Sequence, residues 1–181
     1  MAFYETVISQ ESGWGWEVPV NVPESIREVV ASLYQMKRNI LHSVAGLPED
    51  QVWSRIGPDV SAIGNLLMHV RGSEHQWIGH KIGHRPLKRD RNQEFAQRGG
   101  ISLKTLIEDL GRVDRDTREI LGELSEETIK GFRSADGCSI PFILHYTNHH
   151  LAVHLGQIIA VREFLRPGYR LYGSPEPAAQ P

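Results

Sequence analysis

The chemistry of this chain gathers at its histidines, of which there are nine in 181 residues. Four of them fall between Leu144 and His154. His150 and His154 are spaced so that, on a helix, they lie one turn apart and can grip one ion together. Each imidazole offers a lone pair at about 2 Å, and two from one rigid helix lose little further freedom on binding. Two ligands make a weak site, so a third is required from a facing helix. His69 is placed for this, on an inward stripe with Ala62, Leu66 and Ser73. Gly72 and Ser73, one turn on, leave open volume beside it.

Spacing alone leaves alternatives. His145 and His149 form a second pair of the same kind, rotated about 100° around the helix. An inward histidine can also be an ordinary core residue satisfied by its neighbours. His80 lies on nearly the same face as His69 but about three turns away, too far to share an ion. Gln157 follows His154 by three residues and can hydrogen-bond a ligand histidine or a substrate; Asn65, one turn before His69, can do likewise. No Asp or Glu lies one turn from any of the three histidines on the same face. Glu74 is rotated roughly 140° from His69 and reads as a salt-bridge partner rather than a catalytic base. Cys138 stands at a helix entry that favours a thiolate, but no base accompanies it. Trp77 and Tyr146 read as core.

Four amphipathic segments must position these residues. The first runs from Pro23 to about Val44, before Gly46 and Pro48. A connection over residues 47–59 leads to a second helix from about Ser61, ended by Gly83. Residues 84–100 form a long polar connection of a kind that is often functional, with Lys88-Arg89-Asp90-Arg91 and Glu94 read as a solvated loop. Ser102 caps a third helix reaching Leu121. After a connection over 125–138, Ser139 caps a fourth helix, with Pro141 in its first turn, that runs to about Leu165. The expected fold is therefore all-α, a four-helix bundle, with second and third connections long enough for crossovers. Residues 1–22 read as an irregular arm, 23–166 as the bundle and 167–181 as a Pro-rich tail. Trp14 and Trp16 in the arm are available to line a pocket mouth or a dimer contact.

Composition narrows the classes of function. With 40% hydrophobic and 23% charged residues, the chain is an ordinary globular one. A net charge of −2 gives no general attraction to nucleic acid or anionic membrane. One cysteine excludes an internal disulfide and suits a reducing cytoplasm. No signal peptide or membrane span is read, so a cytoplasmic location is expected.

Two segments carry a resemblance. Asn65-Leu-Leu-Met-His69-Val-Arg-Gly72-Ser-Glu74-His-Gln-Trp77, followed by Arg89-Asp-Arg-Asn-Gln-Glu94-Phe95, resembles a branch of the DinB-like superfamily. His150-Leu-Ala-Val-His154-Leu-Gly156-Gln157-Ile158 resembles that superfamily's fourth-helix signature. The resemblance spans about Pro23 to Leu165 and implies a DinB/YfiT-like bundle with long crossovers, often a homodimer. It also implies a divalent transition metal held by His69, His150 and His154, which selects this pair over His145 and His149. Zn or Ni comes first, with Fe, Co, Cu or Mn admissible. Many relatives have Arg where this chain has Leu155, so a charge beside the site is missing here.

Three neutral imidazoles leave the ion's charge uncompensated and a coordination position open, the arrangement of catalytic rather than structural sites. Such a site activates water or binds a thiolate. Two readings follow: a metal-dependent hydrolase or thiol S-transferase acting on a small molecule, with a low-molecular-weight thiol as partner, or a non-catalytic metal-binding or ligand-sensing bundle.

Overall fold

The structure, a computed structural model, describes residues 18–19 and 21–169. The arm's Trp14 and Trp16 and most of the tail lie outside the described residues. Seven α-helices and no strand are present among those described. They are α1 (Glu24–Val44), α2 (Glu49–Val52), α3 (Ile63–Glu74), α4 (Arg91–Ala96), α5 (Leu103–Gly122), α6 (Glu126–Gly131) and α7 (Ile140–Leu165).

The four long helices α1, α3, α5 and α7 form the bundle, and periodicity located all of them. Each of α5 and α7 begins at the expected serine. Ser102 accepts a bond from the Thr105 N–H and Ser139 from the Phe142 N–H, satisfying donors the first turn leaves free. Short helices α2, α4 and α6 sit inside segments expected to be connections. At under two turns they carry too little periodicity to be read, and they persist because the bundle packs against them.

The main helix pairings are α1 with α7, α3 with α7 and α3 with α5. The first and third connections are therefore the crossovers, since each joins helices across the bundle. The second connection instead joins packed neighbours and uses its length to carry α4 against α3. Ile26, Leu33, Ile63, Leu67, Leu121, Ile143 and Ile158 are fully buried between the helices, each contributing about 1.5–3 kcal/mol of transfer free energy. Arg162 of α7, 2% exposed, donates to the carbonyls of Ser43 and Ala45 at 2.9 and 2.7 Å. It places a cation where the α1 carbonyls run out of partners.

The second long helix differs from expectation near its end. After Glu74 it continues as a π-helix over His75–His80, with wide-turn bonds from the Lys81 N–H to Gln76 O and from Gly83 N–H to Ile78 O. The left-handed residue that stops the chain is His84, at φ 53, not Gly83. Gly83 is required for a different reason: a Cβ there would stand 2.2 Å from Ile120 Cδ1 of α5.

Candidate metal centre

His69 projects from the middle of α3, and His150 and His154 from successive turns of α7, the helix packed against it. Nε2 of His150 lies 3.1 Å from Nε2 of His69 and 3.1 Å from Nε2 of His154. Ligand atoms of all three fall within 4.8 Å of one another. Nitrogens held by one ion at about 2.0–2.1 Å stand about 2.9–3.4 Å apart, depending on whether the angle is nearer octahedral or tetrahedral. The observed separations fall in that interval, and the cluster can hold a metal. His145 and His149 are exposed on another face of α7, and His80 bonds Arg85 O through Nδ1; none of them reaches the cluster.

The outer nitrogens decide which atoms face inward. Nδ1 of His69 lies 2.8 Å from Glu94 Oε2. A carboxylate only accepts, so the proton sits on Nδ1 and the Nε2 lone pair points into the cluster. Arg89 Nη2 also comes within 3.1 Å of that Nδ1. Both groups are donors, so this approach reflects the two-pronged grip of Arg89 on Glu94 at 2.7 and 2.9 Å. Nδ1 of His154 is 2.7 Å from Gln157 Oε1, which fixes the second tautomer in the same way. Among the described residues His150 has no such partner, and its buried Nδ1 is unpaired. Its ring is steadied instead by lying 20° from the Tyr146 ring plane at 6.1 Å.

The electrostatics favour neutral imidazoles. Burial, with help from His154, His69, Arg89 and Arg91, pushes the His150 pKa down to about 3. Burial also lowers His154, against the opposing Gln157 hydrogen bond. For Glu94, burial pulls upward, but hydrogen bonds from Arg89 and His69 outweigh it and keep the carboxyl ionised below its ordinary range. Three converging imidazole nitrogens and a carboxylate already balanced by Arg89 make a donor set suited to a cation.

Two expectations need correction. The stretch over residues 88–94 is not a solvated loop: the side chains of Arg89 and Glu94 are 10% and 3% exposed, because α4 turns them onto His69. Asp90 caps that helix by accepting the Gln93 N–H. The carboxylate partner of the site was thus missed, although its segment carried part of the resemblance. Tyr146 is not core either. It is 39% exposed, Phe142 is 52% exposed, and Trp77 packs on Tyr146 with centroids 4.1 Å apart. Together they form an aromatic shelf ending at His150.

Asn65 does not touch His69. Buried at 0% exposure, its amide nitrogen donates to Glu94 O and Gln97 O at 2.9 and 3.0 Å, and its oxygen accepts the Ala62 N–H. It ties α4 to the start of α3 and so holds Glu94 in place. Glu74, as read, is a buried salt-bridge partner, paired with Lys37. Cys138 is a free thiol well outside the cluster. An open groove of about 580 Å³, lined by Ile56, Asp59, Ser61, Leu66, Gln157 and Val161 among others, runs to the His154 flank through Gln157.

A helical bundle with long crossovers and inward histidines on α3 and α7 defines a DinB/YfiT-like protein. A conserved protein from Enterococcus faecalis, solved by crystallography, shares this fold: TM-score 0.64 at 12% identity, over 78% of this chain and 96% of that one. More particularly, the chain belongs to the mycothiol-S-transferase family, whose sequence profile matches residues 28–167. Among curated proteins none matches it. No helix among the described residues is long and apolar enough to cross a membrane.

Proposed function

We propose that the protein is a metal-dependent thiol S-transferase in which His69, His150 and His154 hold one divalent ion, zinc or nickel first. The observation that carries this reading is the direction of the cluster. Two of the three rings are turned by Glu94 and Gln157 so that their lone pairs meet the third at 3.1 Å. A bound ion would supply charge that holds a thiol as its thiolate near neutral pH.

The chain's own residues do the rest. Glu94 and Gln157 orient the ligand rings, while Asn65 positions Glu94. The groove beside Gln157 offers polar groups from Asp59 and Ser61 to a low-molecular-weight thiol. The shelf of Trp77, Tyr146 and Phe142 offers an apolar seat for the molecule that receives the sulfur. Transfer forms a carbon–sulfur bond as the carbon's bond to a leaving group breaks; the thiol proton passes to solvent.

Hydrolysis fits less well. Proton transfer to a hydrolytic leaving group calls for a free acid or base, and among the described residues the carboxylate touching the histidines, Glu94, is held by Arg89. A non-catalytic bundle remains the contrasting class. A homodimer, by likeness to relatives, and a cytoplasmic location, which the single cysteine suits, are part of the proposal.

The test is elemental analysis of purified protein, followed by transfer from mycothiol to a chromogenic aryl chloride with release of chloride. Activity should vanish with chelator, return with zinc and be absent from His150→Ala. Stoichiometric metal without transfer to any electrophile would favour the non-catalytic class.

A further inference from the structure

One cation at the rim of the centre forms no ion pair among the described residues. Arg91, the first residue of α4, is exposed and makes no hydrogen bond or ion pair among the described residues. It rests instead on an aromatic ring: the guanidinium carbon stands 5.1 Å from the Phe95 ring centroid, and Phe95 packs on His69 at 4.6 Å. Its neighbour Asp90 forms no ion pair with it; that carboxylate caps α4 by accepting the Gln93 N–H. Arg89, by contrast, is fully engaged by Glu94 and Gln76. Through Phe95 the Arg91 guanidinium is thus joined to the ring of a ligand histidine.

Glu94 and Arg89 pair with each other, whereas the Arg91 fork is left unpaired at the rim of the cluster. A guanidinium resting on an aromatic ring has its fork free and pre-oriented, the condition for two-pronged recognition of a carboxylate. On the other flank the Tyr146 ring lies nearly parallel to His150, backed by Trp77, a surface for a flat, apolar body.

We propose that the molecule receiving the sulfur is a planar electrophile bearing a carboxylate, anchored on Arg91 with its flat body toward Tyr146. This rests on the S-transferase reading for the role of the bound anion, but the anion site itself is tested by binding alone. Arg91 would supply the positive rim charge that Leu155 does not.

The experiment is calorimetric titration of the zinc-loaded full-length protein with benzoate as probe and benzyl alcohol as its neutral control. Wild type should bind benzoate; Arg91→Gln should weaken it about tenfold or more, and Arg91→Lys should fall between. Benzyl alcohol should bind equally to wild type and Arg91→Gln, and Tyr146→Leu should weaken both ligands. Zinc content should be unchanged in Arg91→Gln. Equal benzoate affinity in wild type and Arg91→Gln, no benzoate binding by wild type, or loss of zinc from Arg91→Gln would each overturn the proposal. Arg91-dependent benzoate binding without S-transfer would sink the transferase reading alone. Transfer activity with benzoate binding indifferent to Arg91 would sink this inference alone.

Discussion

Glu94 Oε2 stands 2.8 Å from Nδ1 of His69, although the two residues are 25 positions apart in the chain. The contact exists because the second connection folds a short helix, α4, back onto α3. It converts an inward histidine into an oriented one: the tautomer is set and the ring is fixed.

That relationship predicts a loss of metal affinity when the carboxylate is removed. Glu94→Ala should weaken zinc binding about 10- to 100-fold, measured by competition with a chromogenic chelator. Glu94→Gln keeps an acceptor without the charge and should lose less. The alanine variant also leaves Arg89 partly buried without its anion, so its stability should drop by about 3 kcal/mol. Full zinc affinity in Glu94→Ala would mean that the carboxylate serves Arg89 alone.

Gly72 supplies the space that makes this contact possible. A Cβ there would lie 2.1 Å from Glu94 Oε1 and 2.8 Å from Arg89 Nε. On an open helix surface Gly→Ala stabilises by about 1 kcal/mol; here the sign should reverse. Gly72→Ala should lower the thermal midpoint and weaken zinc binding together, because the added methyl displaces the group that orients His69. A stabilised variant with unaltered zinc affinity would refute this account.

The long helices, their serine caps and the inward face carrying His69 were legible because each is written in local sequence, as apolar spacing or as a capping residue. By spacing alone His150 and His154 were legible only as one of two pairs, since His145 and His149 share it; the resemblance selected them. Packing of α7 on α3 is the physical reason, because it brings this pair to His69. Glu94 and Arg89 were not legible from pattern: a six-residue helix shows no period, and two charges that neutralise each other in a tertiary contact look, in sequence, like a solvated loop. Gly72 was read as a source of open volume, which was right, but sequence could not say that a carboxylate would fill it. The π-turn after Glu74 has no spacing signal either.

The choice between the two histidine pairs has a direct test. His150→Ala should lose stoichiometric metal by elemental analysis, whereas His149→Ala should keep it, because His149 faces solvent on α7. Both substitutions sit on a helix, where alanine is well tolerated, so folding should survive in each. Metal retained by His150→Ala and lost from His149→Ala would reverse the assignment.

The buried charges between α1, α3 and α5 predict a loss of stability in alkali. Lys37, 6% exposed, lies 2.7 Å from Glu74 Oε1 and is also paired with Asp114. Burial pulls Lys37 down, but the two carboxylates outweigh it and raise it above its ordinary 10.5. Tyr34 beside it is pushed from 10.0 to about 12, chiefly by burial. Lysine's stabilisation is complete below 10.5 and fades as pH climbs toward its raised folded value. For Tyr34, unfolding releases a phenolic proton once pH exceeds 10.0, so the same rise favours the unfolded chain. Both terms act in one direction, and the thermal midpoint should fall steadily above about pH 10. Tyr34→Phe isolates one of them. The Tyr34 hydroxyl is buried without a hydrogen bond among the described residues, so its removal should not lower stability at neutral pH, and because the ring remains no packing defect is introduced. Thermal unfolding followed across that range should then show a shallower alkaline decline in Tyr34→Phe than in wild type, and identical slopes would assign the whole effect to Lys37.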